Sequence, residues 1–423
     1  MRRRVRTQVG IIGAGPAGLV TAAVLGQAGI DHVVLERQTR EHIEQRARAG
    51  LLEHRTVEYL RSRGLAGRLV AEGRRAGWSD FQLTGGRMRL DYEALTGGLR
   101  HWVYPQHLLV RDLCDELAAA GRAPLFSHPV REVNGLTGPT PRIVCDDVEI
   151  DCDFVIGCDG YRGIARTLVP SGPDSPQDAA VRYPYETLTM LAEVDVPAEG
   201  VLYAITEDGF AGMMPRTPQI SRFHLQIPHG DTPGDWPASR IRERLARRLA
   251  DSGTGAPDIG AVTEVRTLLM RSHIAGSLRH GRLLLAGDAA HILTPFGGKG
   301  ANLAIADVAD LTRALIAHYR HGDDHELDTY SDRRMREIWQ VQEFSHRLLQ
   351  LVMLPAGIST PAERRFALGL KRTVVERITR GHEAVAFAHA YVGSGDDSIS
   401  CRTPAVSAVV TAGGGISGAP KVF

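Results

Sequence analysis

Three glycine-rich stretches, each directly after an apolar run, carry the strongest chemical signal in the sequence. The first is Gly13-Ala-Gly15-Pro-Ala-Gly18, and Glu36 follows eighteen residues after Gly18. Glycines at this spacing permit a tight turn and let a pyrophosphate approach a helix N-terminus. A carboxylate such as Glu36, at the end of the next strand, accepts hydrogen bonds from a ribose diol. The pattern therefore predicts a dinucleotide site.

Two further glycine-rich stretches follow predicted strands. The second is CDGYRGIAR at residues 158–166, and the third is GRLLLAGDAAH at residues 281–291 together with GGKGAN at residues 297–302. Asp288, at the end of a strand, is suited to hold a ribityl hydroxyl, and the glycines before the next helix leave N–H groups for an anionic ring. Either stretch alone would suit an ordinary strand-to-helix turn. The three stretches in this order and spacing are highly specific.

A predicted hairpin at residues 209–228, GFAGMMPRTPQISRFHLQIP, presents cationic side chains on one face. Alternation around a turn at 217–219 places Met214 and Arg216 before it, and Arg222 and His224 after it. An arginine on the inward face of a strand needs an anion, because an unpaired buried charge is very costly. Its planar fork matches a carboxylate in two parallel hydrogen bonds. Arg216 is therefore a candidate carboxylate site, although pairing with a protein acid or exposure to solvent stays open.

The elements that must position these residues form an alternating α/β pattern. A strand at Gln8–Gly13, an apolar helix ending near Gln27 and a strand at His32–Glu36 predict a βαβ start. Clustered prolines and alternating strands from about 180 to 270 predict a separate β-rich unit. Further strands are predicted at Ile143–Ile150, Asp153–Gly157 and Arg282–Ala286, and helices at Leu108–Ala120, near Asn302–Arg320 and near Asp332–Met353.

Composition and charge are those of an ordinary soluble globular protein. Hydrophobic residues make up 43%, and 50 basic against 49 acidic residues leave a net charge of +1, so no nucleic-acid or membrane partner is expected. Five cysteines without a CxxC pair predict reduced thiols and a cytoplasmic location. The basic start and apolar run mimic a signal peptide, but the glycine spacing argues against export. His382 and His389 lack a third ligand at metal spacing, so no metal is expected.

Several motifs carry a resemblance to a known family. The most telling are TQVGIIGAGPAGL, LERQT, RARAGLLE, CDGYRGIAR, GRLLLAGDAAHI and GGKGANLA. From about Gln8 to Gly393 the chain resembles the single-component flavoprotein aromatic monooxygenases of the para-hydroxybenzoate hydroxylase type. The resemblance implies FAD as the cofactor, NADPH or NADH as the co-substrate, O2 as the oxidant, a small aromatic carboxylate as the substrate, and a homodimer.

The fold implied by the resemblance is α/β, with a Rossmann-like FAD-binding domain, an inserted β-sheet substrate domain and a C-terminal helical region. The FAD-binding domain is expected to be discontinuous and to comprise residues 1–74, 101–180 and 272–300. Residues 75–100 and 181–271 would form the β-rich substrate domain. Residues 301–393 would form the helical, dimer-facing region, and residues 394–423, which are rich in glycine and serine, a loosely ordered tail.

The resemblance also assigns site residues. Arg216 matches the arginine that clamps the substrate carboxylate, while Tyr203, Tyr391 and the carbonyl of Pro295 match groups that hydrogen-bond the substrate phenol. Flavin that has reacted with O2 delivers an electrophilic hydroxyl, so a phenol close to phenolate reacts faster. The substrate set is Arg216, Met214, His224, Arg222, Gly212 and Tyr203. The cofactor set is Gly13, Gly15, Ala17, Gly18, Glu36, Arg37, Arg48, Gln106, Asp159, Asp288, Gly298, Lys299, Gly300, Ala301 and Asn302. The coenzyme set is Arg37, Gln38, Arg46, Arg48, Arg162, Arg166 and Arg271.

Several substrate-side positions depart from the family pattern. Met214 stands where the family has a serine, and His224 stands where it has a tyrosine. Gly212 replaces a leucine, which makes space, and Phe296 replaces a threonine, which takes space away. A pocket reshaped in this way predicts a substituted ring, such as an amino-hydroxybenzoate, as an alternative to 4-hydroxybenzoate. The buried histidine that relays the phenol proton has no counterpart at the matching position, and His224 or His107 is a candidate replacement.

The expected function is ring hydroxylation of a phenolic benzoate. A positive residue after Glu36, here Arg37, can receive a ribose 2′-phosphate, which favours NADPH over NADH. Two alternatives stay open: a flavin-dependent reductase or halogenase of the same fold, and a flavin-binding module without turnover. The four tryptophans are isolated, whereas related halogenases carry a Trp-x-Trp motif, and the retained Arg48, Pro295 and Lys299 argue against a module without turnover.

Overall fold

The computed structural model describes residues 2–45, 50–170, 175–196, 198–250, 255, 257–358 and 360–393. The strands of this part of the chain are β1 (Arg3–Arg6), β2 (Val9–Ile12), β3 (His32–Leu35), β4 (Leu51–Leu52), β5 (Arg74–Ala76), β6 (Trp78–Leu83), β7 (Gly86–Asp91), β8 (His101–Val103), β9 (Glu132–Asn134), β10 (Arg142–Val144), β11 (Val148–Asp151), β12 (Phe154–Gly157), β13 (Ala179–Arg182), β14 (Glu186–Val194), β15 (Val201–Thr206), β16 (Gly209–Pro215), β17 (Ile220–Ile227), β18 (Ile259–Thr267), β19 (Arg271–Ile274), β20 (Arg279–His280), β21 (Leu283–Leu285) and β22 (His291–Ile292). The helices are α1 (Pro16–Gln27), α2 (Arg40–Gln45), α3 (His54–Ser62), α4 (Gly67–Glu72), α5 (Tyr92–Leu95), α6 (Gln106–Ala119), α7 (Ala238–Leu249), α8 (Lys299–His321), α9 (His325–Asp328), α10 (Tyr330–Val352), α11 (Pro361–Arg380) and α12 (Ala384–Val392).

A five-stranded sheet in the order β20-β21-β12-β2-β3 contains the predicted βαβ unit. β21, β12, β2 and β3 run parallel, and α1 connects β2 to β3. β2 and β12 are buried along their whole length, as expected of parallel strands covered on both faces. Gly18 permits α1 to approach the sheet, because an added Cβ there would lie 1.9 Å from the carbonyl oxygen of Gly13.

A seven-stranded sheet in the order β18-β14-β17-β16-β15-β6-β7 forms the second large layer. Its pairs are antiparallel except for β15 with β6, so residues 78–91 join the same sheet as residues 186–267. β16 and β17 form the predicted hairpin, in which Met214 lies opposite Arg222 and Gly212 lies opposite His224. Successive residues of a strand point to opposite faces of the sheet, and residues paired across two strands point to the same face. Met214, Arg222 and His224 therefore share one face of this sheet.

The predicted strand at Ile143–Ile150 is instead a hairpin. β10 and β11 pair antiparallel, with Ile143 opposite Ile150, and the N–H of Cys145 donates to the carbonyl of Val148 at 2.8 Å. Asp146 and Asp147 therefore form the turn. The prediction failed because apolar residues stand on both sides of a turn of only two residues, which contains no glycine, asparagine or proline to mark it.

The C-terminal helices pack behind the seven-stranded sheet. Tyr391 on α12 and Leu348 on α10 are buried with Tyr203 of β15 in one apolar cluster. Ile338 of α10 is also fully buried, whereas the next residue, Trp339, has 52% of its surface exposed. Residues 394–423, predicted to be a loosely ordered tail, lie outside the described residues.

The predicted α/β fold class, with a sheet-rich second layer and C-terminal helices, is confirmed. Among the helices of the described residues, none is long and apolar enough to cross a membrane.

Candidate active site

A cavity of about 920 Å³ lies where the two large sheets meet the N-terminus of α8. Its wall brings together predicted residues that are far apart in the chain: Gly13, Gly15, Ala17, Glu36, Arg37, Gln38, Gln106, Asp159, Asp288, Pro295, Gly298, Lys299, Gly300, Ala301, Tyr203, Met214, Arg216, Arg222 and His224. Other predicted residues do not line it: Gly18, Gly212, Asn302, Tyr391, Arg162, Arg166 and Arg271. Arg46 and Arg48 lie outside the described residues.

At the glycine end, the structure fits the pyrophosphate and ribose of a dinucleotide. An added Cβ on Gly15 would meet no atom within 4 Å, so the backbone there borders open space. Glu36 Oε2 accepts from the N–H of Ala14 at 2.8 Å, and Oε1 accepts from the N–H of Gln38 at 2.9 Å. These bonds fix the carboxylate at the end of β3, where it remains able to accept from a ribose diol.

Asp159, at the end of β12, presents an acceptor to the same cavity. Its Oδ2 accepts from the N–H of Ala165 at 3.0 Å, whereas its buried Oδ1 has no hydrogen-bond partner among the described residues. Burial raises the pKa of this carboxyl. A buried unpaired acceptor is costly, so this oxygen suits a ligand hydroxyl or amide.

Asp288 is placed by a buried ionic network behind the cavity. The N–H of Gly287 donates to Asp307 Oδ2 at 2.9 Å, and Nε2 of His291 lies 2.7 Å from the same oxygen. Nε of Arg334 donates to the other oxygen of Asp307 at 2.9 Å. Although burial opposes ionisation, these partners lower the pKa of Asp307. The network therefore fixes the turn that carries Asp288.

Lys299 and Asn302 were predicted to bind the cofactor, but their side chains are occupied within the protein. Nζ of Lys299 donates to Glu53 Oε1 at 2.6 Å and to the carbonyls of Ala390 and Tyr391 at 2.7 and 2.9 Å. Asn302 accepts from the N–H of Glu53 at 2.8 Å, and its Nδ2 donates to two backbone carbonyls. Asn302 therefore positions the start of α8 instead of lining the cavity.

At the opposite end, the hairpin contributes cationic groups. Arg216 is half-buried, and its Nη2 lies 3.3 Å from Nδ1 of His107. Nη1 of Arg222 lies 3.4 Å from Thr189 Oγ1. Burial lowers the pKa of Arg216, lowers that of Arg222 to about 10, and lowers that of His224 to about 3. His224 is therefore neutral at neutral pH, and the charge of this wall comes from arginine.

The two predicted tyrosines form a hydroxyl chain that leads away from the cavity. The hydroxyls of Tyr203 and Tyr391 are 2.8 Å apart, and Ser79 Oγ donates to Tyr391 at 2.9 Å. Only Tyr203 of the two lines the cavity, so Tyr391 acts behind it. His101 is fully buried, its ring centre is 5.3 Å from that of Tyr391, and burial lowers the pKa of His101 to about 3.

Two substitutions expected to reshape the pocket act behind its wall. An added Cβ on Gly212 would lie 2.7 Å from Cζ of Phe210, so Phe210 fills the space beside Gly212. Phe296 is 1% exposed and packs edge-on against Phe210 with ring centres 5.3 Å apart. Neither Gly212 nor Phe296 lines the cavity. Pro295 does line it, and its carbonyl accepts from the N–H of Gly298 at 3.2 Å.

The predicted coenzyme residues that the structure describes lie in three different surroundings. Arg37 and Gln38 line the cavity beside Glu36. Arg166 and Arg271 instead place their guanidinium groups 4.7 and 4.1 Å from the ring centre of Tyr161, the residue after cavity-lining Gly160. Arg162 is exposed.

The wall also contains residues that the sequence did not single out: Thr189, Glu264 and Arg266. Arg266 lies opposite Thr189, so alternation along β14 and β18 is a signal that would have identified both. Glu264 has φ +52 next to a register shift in β18. A bulge that turns one side chain towards a cavity leaves no reliable trace in a single sequence.

Comparison with known proteins agrees with this geometry. A family model for the FAD binding domain matches residues 6–345. The chain is 33% identical to p-hydroxybenzoate hydroxylase of Acinetobacter baylyi over 352 residues, which cover 82% of this chain and 86% of that protein. It is 27% identical to a rifampicin monooxygenase of Rhodococcus hoagii over 412 residues, which cover 93% and 81%.

The fold is also similar to solved structures. The p-nitrophenol 4-monooxygenase of Pseudomonas putida superimposes with a TM-score of 0.74 at 19% identity and covers 93% of this chain and 100% of its own. Because the family model spans most of the chain, the chain belongs to the FAD binding domain family. It is an FAD-dependent aromatic monooxygenase of the p-hydroxybenzoate hydroxylase type, with O2 as oxidant.

Proposed function

We propose that the enzyme hydroxylates the ring of a phenolic benzoate, either 4-hydroxybenzoate or a ring-substituted analogue, with NADPH as the hydride donor. The observation that carries this proposal is that Arg216 and Tyr203 line the same cavity as the glycine turn at Gly15. A guanidinium suits a carboxylate and a tyrosine hydroxyl suits a phenol, so an aromatic acid can bind between them. The p-hydroxybenzoate hydroxylase of Acinetobacter baylyi, named for such an acid, supports this substrate class.

FAD fits the glycine end of the cavity. When bound, it accepts hydride and activates O2 for transfer to the ring. Glu36 suits the ribose, the open backbone at Gly15 suits the pyrophosphate, and the unpaired oxygen of Asp159 suits a hydroxyl. The N–H groups of Gly298–Ala301, at the start of α8, suit an anionic ring edge.

The hydroxyl chain from Tyr203 supports activation of the substrate phenol. A hydrogen bond that Tyr203 donates to the phenolate oxygen stabilises the charged form and lowers the phenol pKa. Tyr391 and Ser79 continue the chain at 2.8 and 2.9 Å, and they provide a path for the proton away from the cavity. Neither His224 nor His107 contacts this chain in the described part of the structure, so Ser79 is the better candidate for the next group in the relay.

The preference for NADPH is supported by positive charge on two sides of the glycine end. Arg37 lines the cavity beside Glu36 and adds positive charge that suits a phosphate of the coenzyme. The guanidinium groups of Arg166 and Arg271 on Tyr161 provide a further cationic surface. An Arg37→Gln variant should lose most of its discrimination between NADPH and NADH in steady-state kinetics, whereas equal loss with both coenzymes would contradict this assignment.

The direct test measures NADPH oxidation by the purified protein with and without a panel of hydroxybenzoates, including 3-amino-4-hydroxybenzoate, and identifies the product. Arg216→Met should weaken substrate binding by about 3 kcal/mol, roughly 150-fold, because a buried carboxylate loses its charged partner. Arg216→Lys keeps the charge but lacks the planar fork, so its substrate affinity should lie between those of the wild type and Arg216→Met. Failure of every hydroxybenzoate to stimulate oxidation, or an unchanged KM in Arg216→Met, would refute the proposal.

We also propose that the enzyme is a homodimer in the cytoplasm. Support for the dimer comes from exposed apolar side chains on α10 and α11: Trp339 is 52% exposed, Phe366 71% and Leu370 57%. The four described cysteines are free and buried, which suits a reducing compartment. Light scattering coupled to size-exclusion chromatography should give the wild-type protein a mass of two chains. The double variant Phe366→Glu/Leu370→Glu should have the mass of one chain. A wild-type protein of one chain mass would contradict the assignment.

A further inference from the structure

A groove of about 660 Å³ runs along α8, on a different face of this helix from the catalytic cavity. α8 lines the cavity with Gly300, Ala301 and Ala304, and the groove shares no lining residue with the cavity. The groove is instead lined by residues 306, 309, 313, 316 and 320 of α8. Their spacing of three or four residues is that of one helix face, so the groove is a separate concave surface.

The lining that α8 contributes is largely apolar. Ala306 and Ala309 are small and leave space, and Ile316 extends the apolar lining along the helix. Across the groove lies Tyr59 of α3, whose hydroxyl is 3.4 Å from Thr312 Oγ1. A groove of this volume with apolar and aromatic lining is large enough for a small organic molecule.

Three of the five arginines that line the groove are paired with acids of the protein. Nη1 of Arg55 donates to Glu337 Oε1 at 2.5 Å, and Arg334 pairs with the same carboxylate. Arg313 pairs with Asp310. Because these guanidinium groups already have charged partners, they do not require an anion from a ligand.

The other two arginines of the groove, Arg63 and Arg320, have no acidic partner among the described residues. Arg63 is half-buried, and its guanidinium lies 5.5 Å from the ring centre of Tyr59, a contact that holds it beside the apolar lining. Arg320 is exposed. A single exposed arginine is usually solvated, but these two border one apolar groove.

Arg63 and Arg320 lie at the same end of the groove. The start of α3 contacts the start of α8, and Tyr59 contacts Thr312 further along both helices, so the two helices run in the same direction. Arg63 and Arg320 both follow this second contact in the sequence. The groove therefore combines an apolar length with one cationic end.

We infer that this groove is a second ligand site, which binds an organic anion with an apolar body and one acidic head group, such as a medium-chain carboxylate. The head group pairs with Arg63 and Arg320, because a guanidinium offers charge-assisted hydrogen bonds to such a group. The apolar body lies over Ala306 and Ala309. The inference goes beyond the proposed function and does not depend on it, since the groove and the cavity are lined by different residues.

The test measures binding of octanoate to the flavin-loaded protein by isothermal titration calorimetry, with acetate as the head group alone and 1-octanol as the body alone. Octanoate should bind at least about tenfold more tightly than either, because it alone uses both parts of the groove. The double variant Arg63→Gln/Arg320→Gln should weaken octanoate binding about tenfold. Ala309→Leu fills the apolar part with a good helix former and should also weaken octanoate binding.

Two matched controls locate the bound octanoate. Arg242→Gln/Arg380→Gln removes two exposed arginines that line neither the groove nor the cavity, so it should change octanoate affinity less than about twofold. Arg216→Met removes a cationic group of the catalytic cavity, and it should also change octanoate affinity less than about twofold.

Several results would overturn the inference. Octanoate could bind no more tightly than acetate or 1-octanol, or the groove variants could bind it as the wild type does. Loss of binding in Arg216→Met alone would place octanoate in the catalytic cavity. A change of mass in light scattering on Arg63→Gln/Arg320→Gln would show that the groove is an interface between copies of the chain. Hydroxybenzoate-stimulated oxidation tests the proposed function separately, so failure of one leaves the other standing.

Discussion

Replacing Lys299 by methionine should destabilise the fold strongly, because it leaves a buried carboxylate short of charge. The side chains of Lys299 and Glu53 are 2% and 0% exposed, and their charged atoms are 2.6 Å apart. Removing one partner of such a pair costs about 3–5 kcal/mol. Arg55 remains at 2.8 Å from Glu53 and offsets part of the loss, whereas the carbonyls of Ala390 and Tyr391 lose their donor. We therefore expect a loss of about 3 kcal/mol in the free energy of unfolding at pH 7.

The pH dependence supplies a second readout with a defined sign. Burial alone would raise the pKa of Glu53, but Lys299 and Arg55 outweigh it and lower the pKa from 4.5 to about 2. A depressed folded-state pKa contributes stability that is complete above pH 4.5 and is lost as the pH falls through about 2. The difference in stability between wild type and Lys299→Met should therefore be constant near neutral pH and shrink below pH 4.5.

Urea unfolding of flavin-saturated wild type, Lys299→Met, Glu53→Gln and the double variant measures both effects. The double variant should be more stable than Lys299→Met, because it no longer buries an undercompensated charge. A loss of less than about 1 kcal/mol in Lys299→Met, or no recovery in the double variant, would show that the pair is solvated and would refute the reasoning.

Three further sets of variants test the glycine turn, the hydroxyl chain and a buried arginine of α7. Gly18→Ala should prevent folding, because its Cβ would lie 1.9 Å from a backbone oxygen. Gly15→Ala adds a Cβ with no atom within 4 Å, so it should change the free energy of unfolding by less than about 1 kcal/mol. It should nevertheless weaken FAD binding in a flavin titration. Tyr391→Phe should move the pH profile of turnover up by about one unit, because the hydroxyl chain no longer stabilises the phenolate; an unmoved profile would contradict the chain. Arg248→Met should lower the free energy of unfolding, measured by urea titration, by about 3 kcal/mol, because Arg248 is 4% exposed and donates to the carbonyls of Phe210, Gln226 and Asp208. Arg248→Lys should recover part of this loss.

Local sequence patterns predicted the elements that form from neighbouring residues, but they did not predict the pairing of strands that are distant in the chain. The βαβ start is set by a buried run, a glycine turn and an apolar helix within one short segment, and it was predicted closely. The strand order of the seven-stranded sheet depends on pairing between β6 and β15, more than a hundred residues apart, and no local pattern indicates it. The α11 helix was not singled out, although its start carries a capping box at Thr360 and Glu363 that marks a helix N-terminus.

The same distinction holds for the site. Strand alternation correctly placed Met214, Arg222 and His224 on one face, because the period of a strand is fixed by its geometry. The role of Lys299 was harder to predict, because its partner Glu53 is 246 positions away in the chain. A lysine in a glycine-rich turn before a helix has the composition of an anion site whether its side chain faces a ligand or a buried carboxylate.

Lys299 also links the two ends of the cavity. Its backbone belongs to the first turn of α8, which lines the cavity beside the glycine end, and its Nζ binds the carbonyls of Ala390 and Tyr391 on α12. Tyr391 in turn holds Tyr203, the tyrosine that faces the proposed phenol. A shift of α8 therefore moves the hydroxyl chain as well as the N–H groups proposed for the flavin. Because the buried Lys299 side chain joins the start of α8 to α12, we expect the Glu53–Lys299 pair to set the position of Tyr391, and through it of Tyr203, relative to the first turn of α8.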